Sequence, residues 1–209
     1  MDGLVTNISL VAGVGAAGAS GHTIILSGMS SLVAGAFSMA LGEYTSVTTQ
    51  NEQVDAEVAV ERRELTRHPN AELNELIAEF VDMGMSEETA TSAATEIHRD
   101  TDLAVNLHLI QELGVDPQDQ PSPMVAALSS FAMFAIGAVI PLITYLLGFE
   151  SLTAALVVGG LGLLVAGGVA ATFTDRPIWK GALRQLAFGV IAAGATYLVG
   201  YLIGVPASG

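Results

Sequence analysis

GLVTNISLVAGVGAAGASGHTIILSGMSSLVAGAFSMALG, residues 3–42, is the stretch that decides the fold of this chain. It contains no Asp, Glu, Lys or Arg, and one membrane-spanning helix requires only about 20 apolar residues. We therefore predict two transmembrane helices here, with a short turn at Ser20-Gly21-His22 between them. No basic segment precedes this stretch, and its first helix continues directly into its second, which argues against a signal peptide.

Three further uncharged runs occupy residues 120–149, 151–174 and 185–209. Each is long enough to cross a membrane, with some tilt where the run is long. We therefore predict an all-α membrane protein with five transmembrane helices. Many glycines lie along these runs, and small residues let helices approach closely in lipid. Pro141 falls inside the third span, where we expect it to kink the helix.

The acidity of the chain is confined to one segment. The formal net charge is −14, from seven Lys+Arg against 21 Asp+Glu, although the mean hydropathy is +0.56. Seventeen of the 21 acids lie between residues 52 and 119. This segregation excludes an ordinary soluble globule. The absence of a basic stripe excludes a nucleic-acid binder, and the absence of cysteine excludes a disulfide or thiolate-metal scaffold.

The basic residues predict the orientation in the membrane. With five spans, both segments that contain basic residues lie on the same side, and cytoplasmic loops carry the excess of Lys and Arg. We therefore predict a cytoplasmic N-terminus, transmembrane helices 1–2 in residues 1–50, a cytoplasmic domain in 51–119 and transmembrane helices 3–5 in 120–209. The basic residues are Arg62, Arg63, Arg67 and Arg99 in the acidic segment, and Arg176, Lys180 and Arg184 in the loop between spans four and five.

The cytoplasmic segment reads as three helices. The first ends before Pro69, the second runs from Pro69 towards Gly84, and the third begins at Ser86 and reaches about Gly114. Apolar residues at helical spacing mark a buried stripe on the second helix. A domain of this size buries little core by itself, so we expect it to assemble with a second copy.

Paired carboxylates are the most informative feature of this segment. Glu61 and Glu64 are three residues apart, and so are Glu72 and Glu75, so each pair shares one helix face. Two such pairs can form an oxygen-rich site that favours Mg, Ca, Mn or Fe(II) over soft metals. On spacing alone, a solvated acidic surface of the kind found in salt-adapted proteins is the commoner explanation. His68 and His108 could add imidazole, which suits Fe(II) or Zn(II).

Two acids and a methionine lie at or near the membrane. Asp2 opens the first span, and Met39 lies one helical turn before Glu43 at the end of the second. Ionisable groups at such positions often mark ion pathways, and a carboxylate beside a thioether suits a borderline transition metal. Asp2 is equally explained by the helix macrodipole, and Met39 by ordinary packing.

Three motifs in the membrane half are similar to those of one protein family, as is the helical insert after the second span. The motifs are DGLVT at 2–6, AGAFSMALGEY at 34–44 and GAVIPL at 137–142. Together they resemble the vacuolar iron transporter family over essentially the whole chain, and the second motif is the most specific. Members usually carry a cytoplasmic segment before the first helix, so the start of the natural chain stays open.

The resemblance implies a homodimeric exporter of Fe(II), often also of Mn(II), that exchanges the metal for protons. It implies no enzymatic activity and no prosthetic group; Fe2+, Mn2+ or Zn2+ would be bound as substrate or regulatory ion. In the family, the ion pathway lies at the dimer interface and includes an aspartate and a methionine, whose positions match Asp2 and Met39 here. Glu43 would lie near the entrance of this pathway. In a prokaryote-like setting, metal would leave the cytoplasm across the lipid of the plasma membrane.

The family also implies a ligand set in the cytoplasmic domain. Its glutamates match Glu61, Glu64, Glu72 and Glu75 in order and spacing, and Glu112 matches a further glutamate near the end of the third helix. Some members carry methionines one turn before that last glutamate. His108 and Leu109 occupy those positions here, so His108 is a possible substitute ligand.

Two other classes of function remain open at this stage. A membrane-anchored di-iron carboxylate oxidase would use the same glutamates, but such sites typically contain Glu-x-x-His on a helix. Glu64 and His68 are four residues apart instead. An interaction module is the second alternative, because residues 80–109 faintly resemble a ubiquitin-associated three-helix domain.

Overall fold

The computed structural model describes residues 1–204, and every regular element in that range is helical, which confirms the all-α fold. The helices are α1 (Asp2–Ala16), α2 (Gly21–Arg67), α3 (Pro69–Asp82), α4 (Glu87–Ile97), α5 (Thr101–Leu113), α6 (Pro123–Val139), α7 (Ile143–Leu146), α8 (Leu152–Thr172) and α9 (Ile178–Gly204). The chain forms two compact units. We call Met1–Glu43 with Ala126–Gly209 the apolar unit, and Tyr44–Val125 the acidic unit.

Within residues 1–204, four helical segments are long and apolar enough to cross a membrane. They are Gly21–Arg67, Pro123–Leu146, Leu152–Thr172 and Ile178–Gly204. The predicted first span is α1, which has 15 residues. At 1.5 Å per residue it measures about 22 Å, less than the roughly 30 Å of a hydrocarbon core. The predicted count of five transmembrane helices is therefore not exact: four described helices have the length of a span, and α1 is a shorter apolar helix.

The turn between α1 and α2 lies earlier than predicted. Gly18 has a φ of +79°, the left-handed conformation in which a helix commonly ends. Ser20 accepts a hydrogen bond at its Oγ from the backbone N–H of Thr23, at 3.3 Å, as an N-terminal cap does. Gly21 and His22 therefore belong to α2 and not to the turn.

Pro141 interrupts its helix, as predicted. α6 ends at Val139, a 3-10 turn covers Ile140–Leu142, and α7 follows, because proline lacks the N–H that would continue the α-helical ladder. The fully buried side chain of Asn7 donates from Nδ2 to the carbonyl of Ala138 at 2.7 Å and to that of Gly28 at 3.2 Å. One polar side chain of α1 thus joins α2 to α6 beside the interruption.

Glycines bring α8 and α9 into close contact. A Cβ at Gly167 would lie 2.5 Å from the carbonyl oxygen of Gly181, and a Cβ at Gly181 would lie 2.5 Å from that of Gly167. Neither helix can carry a side chain at this crossing without moving. Because lipid supplies no hydrophobic drive between helices, such close backbone approach is a main source of their association.

The acidic unit has two small apolar clusters. One consists of Leu65 from α2 with Ala104, Val105 and Leu109 from α5. The other consists of Leu76 and Phe80 from α3 with Ala90 and Ala94 from α4. Two hydrogen bonds also join α2 to the segment that follows α5. Asn51 donates from Nδ2 to the carbonyl of Pro121, and Asp55 accepts at Oδ1 from Nε2 of Gln120.

The third predicted helix of this segment is in fact two helices. Asp100 has extended backbone angles, and its carboxylate accepts from the N–H groups of Asp102 and Leu103. An aspartate that caps in this way starts a new helix. The first helix therefore ends at Ile97, and the next begins at Thr101. The two resulting helices are α4 and α5. The cytoplasmic location of the unit stays a prediction.

Gly181→Ala is expected to destabilise the apolar unit, whereas Gly194→Ala on the same helix is not. A Cβ at Gly181 meets backbone and the Ala171 side chain, but one at Gly194 meets no atom within 4 Å. Overpacking typically costs about 1–3 kcal/mol. Thermal unfolding of the full chain in detergent, followed through the single tryptophan Trp179, should give a lower midpoint for Gly181→Ala only. Equal midpoints would contradict this packing.

Candidate metal centre

Four side chains of the acidic unit converge on one point. One ligand atom from each of Glu61, Glu72, His108 and Glu112 lies within 4.8 Å of every other. Glu61 comes from α2, Glu72 from the first turn of α3, and the other two from α5. His108 and Glu112 are four residues apart on α5, so they share a face. We call these four residues the carboxylate–imidazole group.

The imidazole of His108 is the centre of this group. It is fully buried, and its Nδ1 lies 3.5 Å from Oε1 of Glu112, 3.6 Å from Oε1 of Glu61 and 3.9 Å from Oε2 of Glu72. Nδ1 of His108 and Oε1 of Glu61 are buried and have no hydrogen-bond partner in the described part of the chain. Buried polar atoms are rarely left in this state.

The spacing of these atoms fits a shared metal ion. Ligands that each lie about 2.1 Å from one tetrahedral ion are roughly 3.4 Å from each other. Two of the distances from His108 Nδ1, to Glu112 and Glu61, are close to this value, and the third, to Glu72, is 3.9 Å. Three carboxylates and one imidazole make an oxygen-rich donor set with a single nitrogen. Such a set suits Fe(II), Mn(II) or Zn(II) better than soft cations.

The group is electrostatically crowded without a cation. The pKa of Glu61 is raised to about 7, with burial as the largest cause; His108 opposes the shift, and the nearby Glu112, Glu72 and Glu75 add to it. Burial is also the largest cause of the raised pKa of Glu72. A bound cation would relieve this repulsion.

The arginines nearest in sequence have other partners. Arg62 pairs with Asp102 at 2.7 Å, and Nε of Arg63 donates to the carbonyl of Ala59 at 3.0 Å. Both residues follow Glu61 on α2. Neither of these contacts joins an arginine to the carboxylate–imidazole group.

Only the first member of each predicted acid pair belongs to the group. Glu64 is partly exposed, with Oε2 3.8 Å from Nε2 of His68, and Glu75 is exposed. Their roles as ligands stay predictions. Glu79, one turn beyond Glu75, has a buried and unpartnered Oε2. Burial raises its pKa, with Glu112 and Glu75 adding to the shift and His108 opposing it.

Two histidines have a larger place in the structure than the sequence indicated. His108 was a possible substitute ligand, yet it is the residue that the three carboxylates surround. His98 was not predicted to take part. Its Nε2 lies 3.2 Å from Nε2 of His108, across the break between α4 and α5, where the sequence predicts one continuous helix.

The predicted pathway residues lie in the apolar unit. Asp2 is the first residue of α1, and Met39 and Glu43 lie on α2. All three are exposed in the single chain, with Met39 38% exposed. Their joint role in transport stays a prediction.

Together, the fold and the site define an integral membrane protein made of helices, with a helical unit whose carboxylates and imidazole could bind a metal ion. The model of the VIT family matches residues 1–201. The chain therefore belongs to the VIT family, whose members are transporters and not enzymes. Neither the oxidase nor the interaction module is favoured.

Several curated relatives cover most of this chain. A vacuolar iron transporter of Acanthamoeba castellanii is 34% identical over 90% of this chain and 72% of its own length. Vacuolar iron transporter homolog 1 of Arabidopsis thaliana is 31% identical, over 97% of this chain and 78% of its own length. Vacuolar iron transporter 1 of Eucalyptus grandis is 25% identical over 94% and 80%, respectively.

Glu61→Gln should stabilise the metal-free acidic unit above pH 7. Because the pKa of Glu61 rises from 4.5 to about 7 on folding, the folded state binds more protons between these values, and stability falls as pH rises through them. The variant removes that loss. Hydrogen–deuterium exchange of α5 amides in the full chain, with chelator present, should be slower in the variant at pH 8 and unchanged at pH 4.5. A difference of the same size at both pH values would contradict this origin.

Loss of two converging carboxylates should weaken metal binding at least tenfold, the scale of disturbed metal sites. Glu61→Gln with Glu72→Gln removes two oxygens of the group, whereas Glu88→Gln changes an exposed acid on α4. Mn2+ titration of the full chain in detergent, followed by loss of the free-ion electron paramagnetic resonance signal, measures the affinity. Equal affinities for the double variant and Glu88→Gln would rule out a site at this group.

Proposed function

We propose that this protein transports divalent transition metal, Fe2+ and also Mn2+, out of the cytosol. The observation that carries the proposal is the convergence of Glu61, Glu72, His108 and Glu112 in a chain of the VIT family. Two curated relatives that cover at least 90% of this chain are named vacuolar iron transporters. The donor set matches the coordination preferences of these ions.

The acidic unit collects the metal from the cytoplasm in this proposal. Its excess negative charge raises the local concentration of cations, and Glu64 and Glu75 join the carboxylate–imidazole group as further ligands. The basic residues support a cytoplasmic location, because the acidic segment and the start of α9 lie on the same side when α6 and α8 each cross once. Lys180 and Arg184 belong to the first turns of α9 and not to the preceding loop.

Asp2, Met39 and Glu43 form the membrane pathway in a homodimer. Their exposure in one chain leaves them free to face the equivalent residues of a second copy. Glu43 receives the ion at the entrance, and the carboxylate of Asp2 and the thioether of Met39 replace part of its water shell. Protonation of either carboxylate lowers the metal affinity, which couples release to proton entry. The relatives are named for the vacuole; for this chain we propose the plasma membrane.

Flux in proteoliposomes tests the pathway. With Fe2+ outside and an opposing pH gradient, the wild type should accumulate metal, and Asp2→Ala with Met39→Ala should reduce the rate at least tenfold through loss of both metal ligands. Met29→Ala is the matched control, since Met29 lies on the same helix and is 36% exposed. Undiminished flux in the double variant would overturn the assignment.

A further inference from the structure

The contact between His98 and His108 lies just outside the carboxylate–imidazole group. The two Nε2 atoms are 3.2 Å apart, and the ring planes meet at 67° with centroids 5.4 Å apart. His108 is fully buried, whereas His98 is partly buried. The unpartnered Nδ1 of His108 faces the three carboxylates on the opposite side of its ring.

A hydrogen bond between two neutral imidazoles has only two arrangements. Each neutral ring has one N–H and one lone pair, so a single proton lies between the two Nε2 atoms. If His98 is the donor, then Nδ1 of His108 holds a proton and faces the carboxylates as N–H. If His108 is the donor, its Nδ1 instead directs a lone pair at them.

We propose that His98 is a positioning residue for metal binding: it accepts a hydrogen bond from Nε2–H of His108 and so makes Nδ1 the ligand atom. The inference rests on the metal-collecting role proposed above and deepens it. A histidine that binds metal usually donates its other N–H to an acceptor that fixes the tautomer and ring orientation. In this chain the acceptor is a second histidine, supplied by the end of α4.

The pair also balances the protons when metal binds. In the metal-free arrangement, Nδ1–H of His108 faces the carboxylates, and Nε2–H of His98 donates to Nε2 of His108. If an ion bound at Nδ1 of His108, the proton on that atom would pass to water, the shared proton would become bonded to Nε2 of His108, and His98 would take up one proton from water at its own Nδ1. The total on the two rings stays constant, so no imidazolium is buried.

A role of His98 in positioning His108 predicts a change in metal selectivity. Imidazole adds more to the binding of Co2+, Fe2+ and Zn2+ than to that of Mn2+, which is satisfied by oxygen ligands. Disturbing the His98 contact should therefore weaken binding of nitrogen-preferring ions and leave Mn2+ binding nearly intact. A residue needed only for folding would affect both classes of ion alike.

The test uses the full chain in detergent with Co2+ and Mn2+ as probes. His98→Phe keeps a ring but removes the acceptor, and His98→Gln keeps an acceptor oxygen. We expect His98→Phe to weaken Co2+ binding about tenfold or more, the usual scale for such partners. Its Mn2+ affinity should stay within about threefold, and His98→Gln should stay near the wild type for both ions. In the Zn2+ complex, 15N resonances of His108 should indicate Nδ1 coordination in the wild type and mixed coordination in His98→Phe.

The outcomes separate this inference from the proposed function. Equal Co2+ affinities for the wild type and His98→Phe, with Nδ1 coordination in both, would overturn the role of His98 and leave the collecting site standing. A parallel loss of Mn2+ affinity in His98→Phe, or failure of His98→Gln to bind Co2+ normally, would also overturn it. No binding of either ion by the wild type would overturn the collecting site itself.

Discussion

The acidic unit is organised around one electrostatic constraint: three carboxylates share a single buried imidazole. Glu61, Glu72 and Glu112 all lie within 4 Å of Nδ1 of His108. The unit keeps this arrangement although burial of ionised groups without a full set of partners is costly. Its apolar clusters lie beside the group and supply the stabilising contacts. The four side chains held together in this way could bind a cation.

The apolar unit meets a different constraint, because lipid removes the hydrophobic drive between its helices. Shape complementarity takes its place, and α8 and α9 meet through Gly167 and Gly181 with no side chain between them. Polar groups are used sparingly, as where Asn7 binds the carbonyls of Ala138 and Gly28. Close backbone contact thus joins α8 to α9, and small apolar clusters stabilise the acidic unit.

The sequence predicted those features that depend on composition and period. Uncharged runs predicted the membrane helices, and the distribution of acids predicted a separate helical segment. The i, i+3 spacing placed each acid pair on one helix face, but it could not indicate how that face is rotated towards its neighbours. Packing of Leu65 and Leu76 sets that rotation, which brings Glu61 and Glu72 into the group and leaves Glu64 and Glu75 outside.

The role of the histidines was beyond the reach of the sequence for a related reason. His98 and His108 are ten residues apart, a separation that a continuous helix would place about 15 Å apart along its axis. The Asp100 cap breaks the helix and lets the chain fold back, so that the two rings meet. One local hydrogen-bonding preference therefore decides whether the buried imidazole has a partner.

The exposure of the group fits a site from which an ion can depart. The side chains of His108, Glu61 and Glu72 are 0%, 9% and 12% exposed, but that of Glu112 is 33% exposed. An ion bound there would meet water on the Glu112 side. The exposed Glu75 is also close enough to raise the pKa values of Glu61 and Glu72. A structural metal site is closed by its protein ligands. The more exposed side at Glu112 would instead permit a bound ion to exchange with the solution.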